Sequence, residues 1–351
     1  MRRELMLEVL DSVKHSLHPK ADTLVNSCFC FDGWAVHAYD QTTATLIDFV
    51  SDFQGGVNGK LLLDFLRGCS ADEVEIGVDP DDSDKARIKC GRPVVRLPYF
   101  KPEDFAFEPP PDMKALRHHF ELQDDFIPKL SKAATHMATT PHGPWNDGVA
   151  YEARTDKTFI YAANNRTAIR VVCEERGFDE PWCMVIPPVA VWNILALGRK
   201  HKPAKMSIGR NCFGIAFDGT AGPAFISKIQ RVRKVPQYHD IFDPKESRIE
   251  KLVPIPPKLK DSLERCRLAA SGDSLTPTKV TADGEKIRLY AKGPSIGVSD
   301  YVSSKHPAKD CVVFAASVLA GLDGADKIGF FKDVVMTTGP DFLFMATTLR
   351  A

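Results

Sequence analysis

The sequence predicts an α+β protein built from three similar units in tandem. One order of elements recurs three times along the 351 residues: an opening amphipathic helix, short strands, a second helix, more strands. Two proline-rich stretches, KPEDFAFEPPPD and VPQYHDIFDPKE, fall between the recurrences and read as extended linkers. The composition, 44% hydrophobic and 26% charged, is that of a globular chain, and the length suits two or three domains. The units run 1–111, 112–246 and 247–351.

In the first unit, Leu5, Met6, Val9, Leu10, Val13 and Leu17 form one helical stripe, with Arg3, Lys14 and His18 facing away. SCFCFD and WAVHAYD read as strands around a tight turn at Asp32 and Gly33. Asn58 caps a second helix over 59–69. VEIGVD, KARIKCG and PVVRLPY follow as strands. In the second unit, Asp124 or Asp125 caps a helix reaching Met137, with Pro128 in its first turn. VAYEART and TFIYAAN pair around Asp156 and Lys157, and a further strand lies near 168–172. A helix over 187–198 precedes three strands, KMSIGR, FGIAFDG and PAFISKIQRV. The third unit opens on the helix PPKLKDSLERCRLAAS, continues through KVTAD, KIRLYAK and IGVSDY to a short helix AASVLAGLDG, and ends on KIGFFKD, VVMTTG and DFLFMATTL.

Forty-six basic residues balance 46 acidic ones, so any attraction to phosphate must come from local patches. Glu4, Glu8 and Asp11 interrupt the N-terminus where a signal peptide needs an apolar run, and no stretch approaches a membrane span. The nine cysteines are scattered without paired spacing, which predicts buried thiols in a reducing, cytoplasmic setting. Chemical motifs are sparse. Gly293, Ser295 and Gly297 match G-x-S-x-G, but between two strands, where a hairpin turn is the expectation rather than a nucleophile elbow. His118, His119, His136 and His142 have no Cys or carboxylate at ligand spacing and read as surface or linker histidines. No phosphate-binding or dinucleotide-binding glycine motif is present, so an ATPase or nicotinamide enzyme is unsupported.

Three stretches carry a resemblance. ARIKCGRPVVRLP at 86–98 is followed by Pro102, Glu103, Asp104 and Phe105; FISKI at 225–229 is followed by Pro236, Gln237 and Tyr238; and a final strand closes on Leu349, Arg350 and Ala351. In this order and spacing the chain resembles the bacterial DNA polymerase III beta subunit, the replicative sliding clamp, over nearly its whole length. That resemblance implies three DNA-clamp domains per chain, helices lining a channel and antiparallel sheets outside, and two chains closed head to tail as a homodimer ring. Duplex DNA would pass through without sequence-specific contact. DNA polymerase and clamp loader would dock through short peptide motifs, and no catalytic residue, cofactor, metal or membrane would be involved. A clamp-fold scaffold or decoy that does not encircle DNA is the alternative.

On that resemblance, basic residues of the inner helices are the expected DNA contacts: Arg3, Lys14, Lys20, Lys60, Arg67, Lys129, Lys132, Arg199, Lys200, Lys202, Lys258 and Arg265. Four of the six expected helices are net basic in a neutral chain, the 186–205 stretch having four cations and no acid. The partner-peptide pocket maps to Trp145, Thr167, Pro236, Tyr238, Ile241, Thr347, Thr348, Leu349 and Arg350. The dimer interface maps to Arg92, Val95, Leu97 and Leu268. Two departures matter. The family's ATDGHR-like segment is AANNRT at 162–167, and its Met-Pro-Met tail is Thr347, Thr348 and Leu349. A pocket tuned to its own partners, as in a phage or mobile-element clamp, is the expectation.

Overall fold

The computed structural model describes residues 1–18, 26–104, 118–138, 148–174, 181–209, 211–218, 222–228, 239–269, 276–283, 285–304 and 309–349. Seven helices appear among them: α1 (Arg3–Val13), α2 (Gly59–Gly68), α3 (Phe126–Ala134), α4 (Pro188–Gly198), α5 (His239–Phe242), α6 (Leu259–Leu268) and α7 (Ala315–Ala320). The first seven strands are β1 (Cys28–Asp32), β2 (Ala35–Tyr39), β3 (Thr43–Asp48), β4 (Gln54–Asn58), β5 (Val74–Asp79), β6 (Asp82–Cys90) and β7 (Val94–Phe100). The middle eight are β8 (His118–Glu121), β9 (Val149–Ala153), β10 (Thr158–Ala163), β11 (Thr167–Glu174), β12 (Trp182–Ile186), β13 (Pro203–Ile208), β14 (Cys212–Phe217) and β15 (Ala224–Lys228). The last eight are β16 (Val253–Pro254), β17 (Pro277–Asp283), β18 (Lys286–Lys292), β19 (Gly297–Ser303), β20 (Cys311–Phe314), β21 (Lys327–Phe330), β22 (Val334–Thr338) and β23 (Phe342–Thr347). The mixed α+β class read from the sequence is the observed one.

The chain divides into two compact units, Met1–Pro128 with Ile186–Arg231, and Lys129–Val185 with Val232–Ala351. The first unit holds an eleven-stranded sheet in the order β5-β6-β7-β4-β1-β2-β3-β15-β14-β13-β8. β3 pairs antiparallel with β15, placing Leu46 opposite Ala224 and Thr43 opposite Ser227. The second unit holds an eight-stranded sheet, β12-β9-β10-β11-β23-β22-β21-β16, and a four-stranded one, β19-β18-β17-β20. There β11 pairs with β23, Thr167 opposite Ala346 and Val171 opposite Phe342.

Local chemistry explains the elements. Gly33 turns the β1–β2 hairpin at φ +95°, and Asp32 Oδ1 accepts from the Trp34 and Ala35 N–H groups. Asn58 Oδ1 accepts from the Leu61 N–H at 3.0 Å and starts α2. Met6, Leu10 and Val13 of α1 and Leu62 and Leu66 of α2 are fully buried in a core shared with Phe29, Val36, Val57 and Ile88. Leu5, placed on the buried stripe by the sequence, is half exposed. It lies at the stripe's margin, a turn away from its centre at Val9 and Val13.

The second linker is not extended where it is described. α5 is followed by a 3-10 segment, Asp243–Lys251, that carries Pro244 in its first turn and is drawn onto the sheet by Arg170, whose guanidinium bonds Asp243 at 3.2 Å and Glu246 at 2.6 Å. Phe242 is fully buried beneath it. Of the first linker, Lys101 is exposed, residues 102–104 form a 3-10 turn, and 105–112 lie outside the described residues. All nine cysteines are free; eight are buried and Cys183 is half-buried. Burial pushes the Cys28, Cys183 and Cys311 thiols up to about 12. Among the described residues no helix is long and apolar enough to cross a membrane.

Replacing Asn58 by Ala should cost about 1 kcal/mol, because one N–H at the start of α2 loses its acceptor. Urea unfolding should show a lowered midpoint at unchanged slope.

Candidate nucleic-acid and partner interfaces

In the first unit α1, α2 and α4 bring four of the expected cations to one face. Asp11 of α1 binds Lys14 at 2.8 Å and Arg67, in the last turn of α2, at 2.6 Å. α4 docks on the 3-10 turn that follows α1: Asn193 Nδ2 donates to Thr43 Oγ1 at 2.9 Å, and Ser12 Oγ lies 3.1 Å from His201 Nε2. His15 reports the resulting field. Burial lowers its pKa, and Lys14, Lys200 and Arg199 push in the same direction, against Asp11. Arg199 and Lys200 are exposed and form no ion pair within the described residues. Lys60 is likewise exposed in the first turn of α2. Lys202 instead pairs with Asp124 at 2.7 Å.

Arg3 departs from the expectation. It stands three residues before Met6 and seven before Leu10, so it shares their buried face. Its Nη1 donates to the Leu66 carbonyl at 3.2 Å and also to that of Cys69, closing the C-terminus of α2. The charge serves the helix end and is not presented to a ligand. Lys20 lies outside the described residues.

In the second unit, most expected cations are already engaged. Lys129 Nζ donates to the Cys173 carbonyl at 2.8 Å. Lys132 Nζ sits 3.7 Å from the centre of the Phe342 ring and 3.6 Å from Asp341. Arg265 grips Asp300 through two nitrogens at 2.5 and 2.8 Å. Lys258 remains exposed at the start of α6, where its backbone takes φ +67°.

Five of the nine pocket residues are described, all in the second unit. The β10–β11 turn is an Asx turn in which Asn164 Oδ1 accepts from the Arg166 and Thr167 N–H groups, both at 2.9 Å. The Thr347 N–H donates to the Arg166 carbonyl at 2.8 Å, Thr348 Oγ1 to the Lys332 carbonyl at 2.8 Å, and the Leu349 N–H to the Val312 carbonyl at 2.8 Å. Thr167, Thr347, Thr348 and Leu349 thus gather where β11, β23 and β20 meet. Thr167 is buried and its hydroxyl has no partner among the described residues. Ile241 packs on the core that contains Tyr161, Phe242 and Met345. Arg166 and Phe314 were missed by the sequence reading. The Arg166 guanidinium lies 4.9 Å from the Phe314 ring centre at this corner. Arg166 stood inside the quoted AANNRT segment, but Phe314 ends a strand that carried no turn signal. Trp145, Pro236, Tyr238 and Arg350 lie outside the described residues.

Of the four interface residues, Arg92 is exposed, Val95 half-buried and Leu268 65% exposed, whereas Leu97 is buried in the first unit's core. The outward apolar residue of β7 is Val94, at 41% exposure. β7 meets β4 only through Tyr99 and Phe100, so among the described residues its Val94–Leu97 stretch has an open edge. β19, bearing the exposed Tyr301, is an edge strand of the four-stranded sheet.

The other chemical candidates resolve simply. The G-x-S-x-G residues occupy the β18–β19 hairpin turn, closed by the Gly293 N–H on the Ile296 carbonyl at 2.8 Å. His136 is not a surface residue: it is 3% exposed and stacks 4.9 Å from Phe344. His119 bonds Ser207 at 2.8 Å on an exposed strand. No cluster of three or more metal-ligating side chains occurs among the described residues.

No family model matches the sequence, and a search of curated proteins returns no match. Solved structures do match. The DNA polymerase III subunit beta of Pseudomonas aeruginosa superposes with a TM-score of 0.84 at 14% identity, over 100% of this chain and 99% of that one. The beta subunit of Thermotoga maritima gives 0.81 at 15% identity, covering 100% and 98%. The Helicobacter pylori beta clamp bound to a DNA ligase peptide gives 0.79 at 16%, covering 100% and 99%. The chain therefore has the fold of the bacterial beta clamps along its full length.

Burial drives the His136 pKa down to about 4 from 6.5, with Lys132 adding to the shift. The unfolded chain then binds the extra proton between those values, so stability is full above pH 6.5 and falls as pH drops toward 4, by roughly 3 kcal/mol at most for this residue. His15, His37 and His201 are shifted the same way. Urea unfolding at pH 7 and pH 4.5 should show a smaller difference for His136→Phe than for the unaltered chain.

Proposed function

We propose that the chain is a DNA sliding clamp. In this reading it encircles duplex DNA as a head-to-tail homodimer ring, tethers a polymerase, and does no chemistry itself. The observation that carries the proposal is the whole-chain likeness to beta clamps combined with the cation cluster of Lys14, Arg67, Arg199 and Lys200 in a chain of zero net charge. A sliding ring needs weak attraction to phosphate without register, and exposed Lys and Arg provide it.

The segments 1–111, 112–246 and 247–351 serve as the three domains. Each pairs its opening helix with a second one. α1 packs on α2 and α6 on α7, while Ile127 of α3 closes on Gly198 of α4, where a Cβ would come within 2.4 Å. The ring closes where the open edge of β7, with Arg92, Val94 and Val95, meets β19 and Leu268 of the next copy. Such a joint would bury two unpaired strand edges at once. The corner formed by Thr167, Ile241, Thr347, Thr348, Leu349 and Phe314 receives short peptides from polymerase and loader.

One observation favours the scaffold alternative. Lys129, Lys132 and Arg265 are held internally, which leaves the second unit fewer free cations than the first at the expected DNA-contact positions. Retention on DNA separates the two readings.

A chain that closes into a ring should scatter light as a particle of twice 38.9 kDa and stay on circular DNA but slip from linear DNA; a monomer retained on neither would end the proposal. Arg199→Glu with Lys200→Glu should keep the fold and reduce the salt slope of DNA binding by about 1.8, two contacts at about 0.9 each. A bacterial polymerase-tail peptide should bind more weakly than about 1 μM, because the apolar methionine tail is replaced by threonines.

A further inference from the structure

A separate cleft opens on the second unit, apart from the corner proposed for peptides. It is a cleft of about 760 Å³ lined by Arg248, Glu250, Lys251, Val253, Lys309 and the run Phe330, Phe331, Lys332 and Asp333. Four elements build it. The 3-10 segment contributes Arg248 to Lys251, β16 contributes Val253, the β21–β22 turn contributes Phe331 to Asp333, and Lys309 leads into β20 with its N–H on the Phe330 carbonyl at 3.1 Å.

The lining divides by chemistry. Phe330 is buried, and Val253 and Phe331 are half-buried, so the floor is apolar. One wall is electrostatically closed: Asp333 accepts from Arg248 at 2.6 Å and from Lys245 at 3.4 Å, and the Arg248 guanidinium lies 5.2 Å from the Phe331 ring centre. The opposite rim is different. Lys251, Lys309 and Lys332 are all exposed, and none forms an ion pair within the described residues. Four cations face two carboxylates in a chain that is neutral overall, and one of those carboxylates is already held by Arg248 and Lys245.

We propose that this cleft binds a short acidic segment of a protein partner, with one large apolar side chain seated over Val253 and Phe331 and carboxylates on Lys251, Lys309 and Lys332. The apolar floor and unpaired rim charges are complementary to such a segment, and burial of the floor strengthens the ion pairs at its edge. Backbone pairing contributes little, because β16 is two residues long and Pro254 has no N–H to donate. A nucleic acid could engage the lysines, but a base stacking on Phe331 would compete with the Arg248 guanidinium, which already lies 5.2 Å from that ring's centre. The cleft shares no lining residue with the corner proposed for peptides; the two adjoin at the 331–333 turn, where Thr348 Oγ1 reaches the Lys332 carbonyl, and Ile241 and Phe331 pack on one core. The proposal therefore stands whether or not the chain forms a ring.

Fluorescence polarisation on the full chain tests it. The probe is a labelled ten-residue peptide of Asp and Glu around a central Leu-Phe; the comparisons are its Asn/Gln counterpart, its Ala-Ala counterpart and a ten-nucleotide thymidine strand. The expected result is saturable binding of the acidic apolar probe and at least about tenfold weaker binding of each comparison. The exposed-site triple variant Lys251→Glu, Lys309→Glu, Lys332→Glu should weaken the probe by about tenfold or more while its melting temperature holds. Phe331→Ala should weaken it as well. No binding up to about 1 mM, equal binding of the amide or Ala-Ala peptide, equal or tighter binding of the thymidine strand, or undiminished binding to a folded triple variant would overturn the proposal.

Discussion

Two antiparallel strand pairings hold the architecture: β3 with β15 in one unit and β11 with β23 in the other. Each joins a strand from one sequence segment to a strand from another more than 170 residues away, and each converts two sheet edges into one continuous ladder. An exposed edge presents a row of unpaired N–H and C=O groups, so fusing edges removes a hazard and ties distant segments together with the same hydrogen bonds. The helices then need only pack on faces that the pairings have already placed. The corner proposed for peptides depends on the second pairing directly, because Arg166 and Thr347 meet when Thr167 lies opposite Ala346.

Charge is distributed by function rather than by abundance. A neutral chain offers no long-range field, so the location of each cation decides what it does. Arg3 closes a helix end, Lys132 lies on an aromatic ring, Arg170 fastens the 3-10 segment, and Arg265 is held by Asp300. Among the described residues, Arg199, Lys200 and Lys60 have no such partner. The same division appears at the cleft, where Arg248 is engaged by Asp333 and three lysines are not. Counting basic residues along a helix cannot make this distinction, since the partners come from other elements.

Much of the fold was legible because long elements carry strong periodicity. The α2 cap, the β5–β6–β7 meander, the β9–β10 hairpin and α4 all fall within a few residues of expectation. Several short elements without alternation or turn signals were not legible. β4, with two consecutive glycines, and the two-residue β16 offer no alternation to read. β8, β12 and β20 have four or five residues each, and only their partners make them strands. α5 was hidden because the acids of VPQYHDIFDPKE looked like linker chemistry; their role becomes visible only once Arg170 is seen beneath them. His136 misled for the opposite reason, since a polar residue near a loop can still be drawn under a core ring. At the candidate interfaces, burial sorts individual residues in a way that a resemblance cannot: Leu97 turns inward and Val94 outward on the same strand.

The thiols have a practical consequence. Eight of nine are buried, and burial pushes the Cys28, Cys183 and Cys311 thiols up to about 12 and Cys30 well above its ordinary value, so these four carry almost no thiolate at neutral pH. A cysteine installed on the outer surface would react with maleimide reagents against a nearly silent background. Dyes, spin labels or crosslinkers could then be placed one at a time without first stripping the native sulfur from the chain.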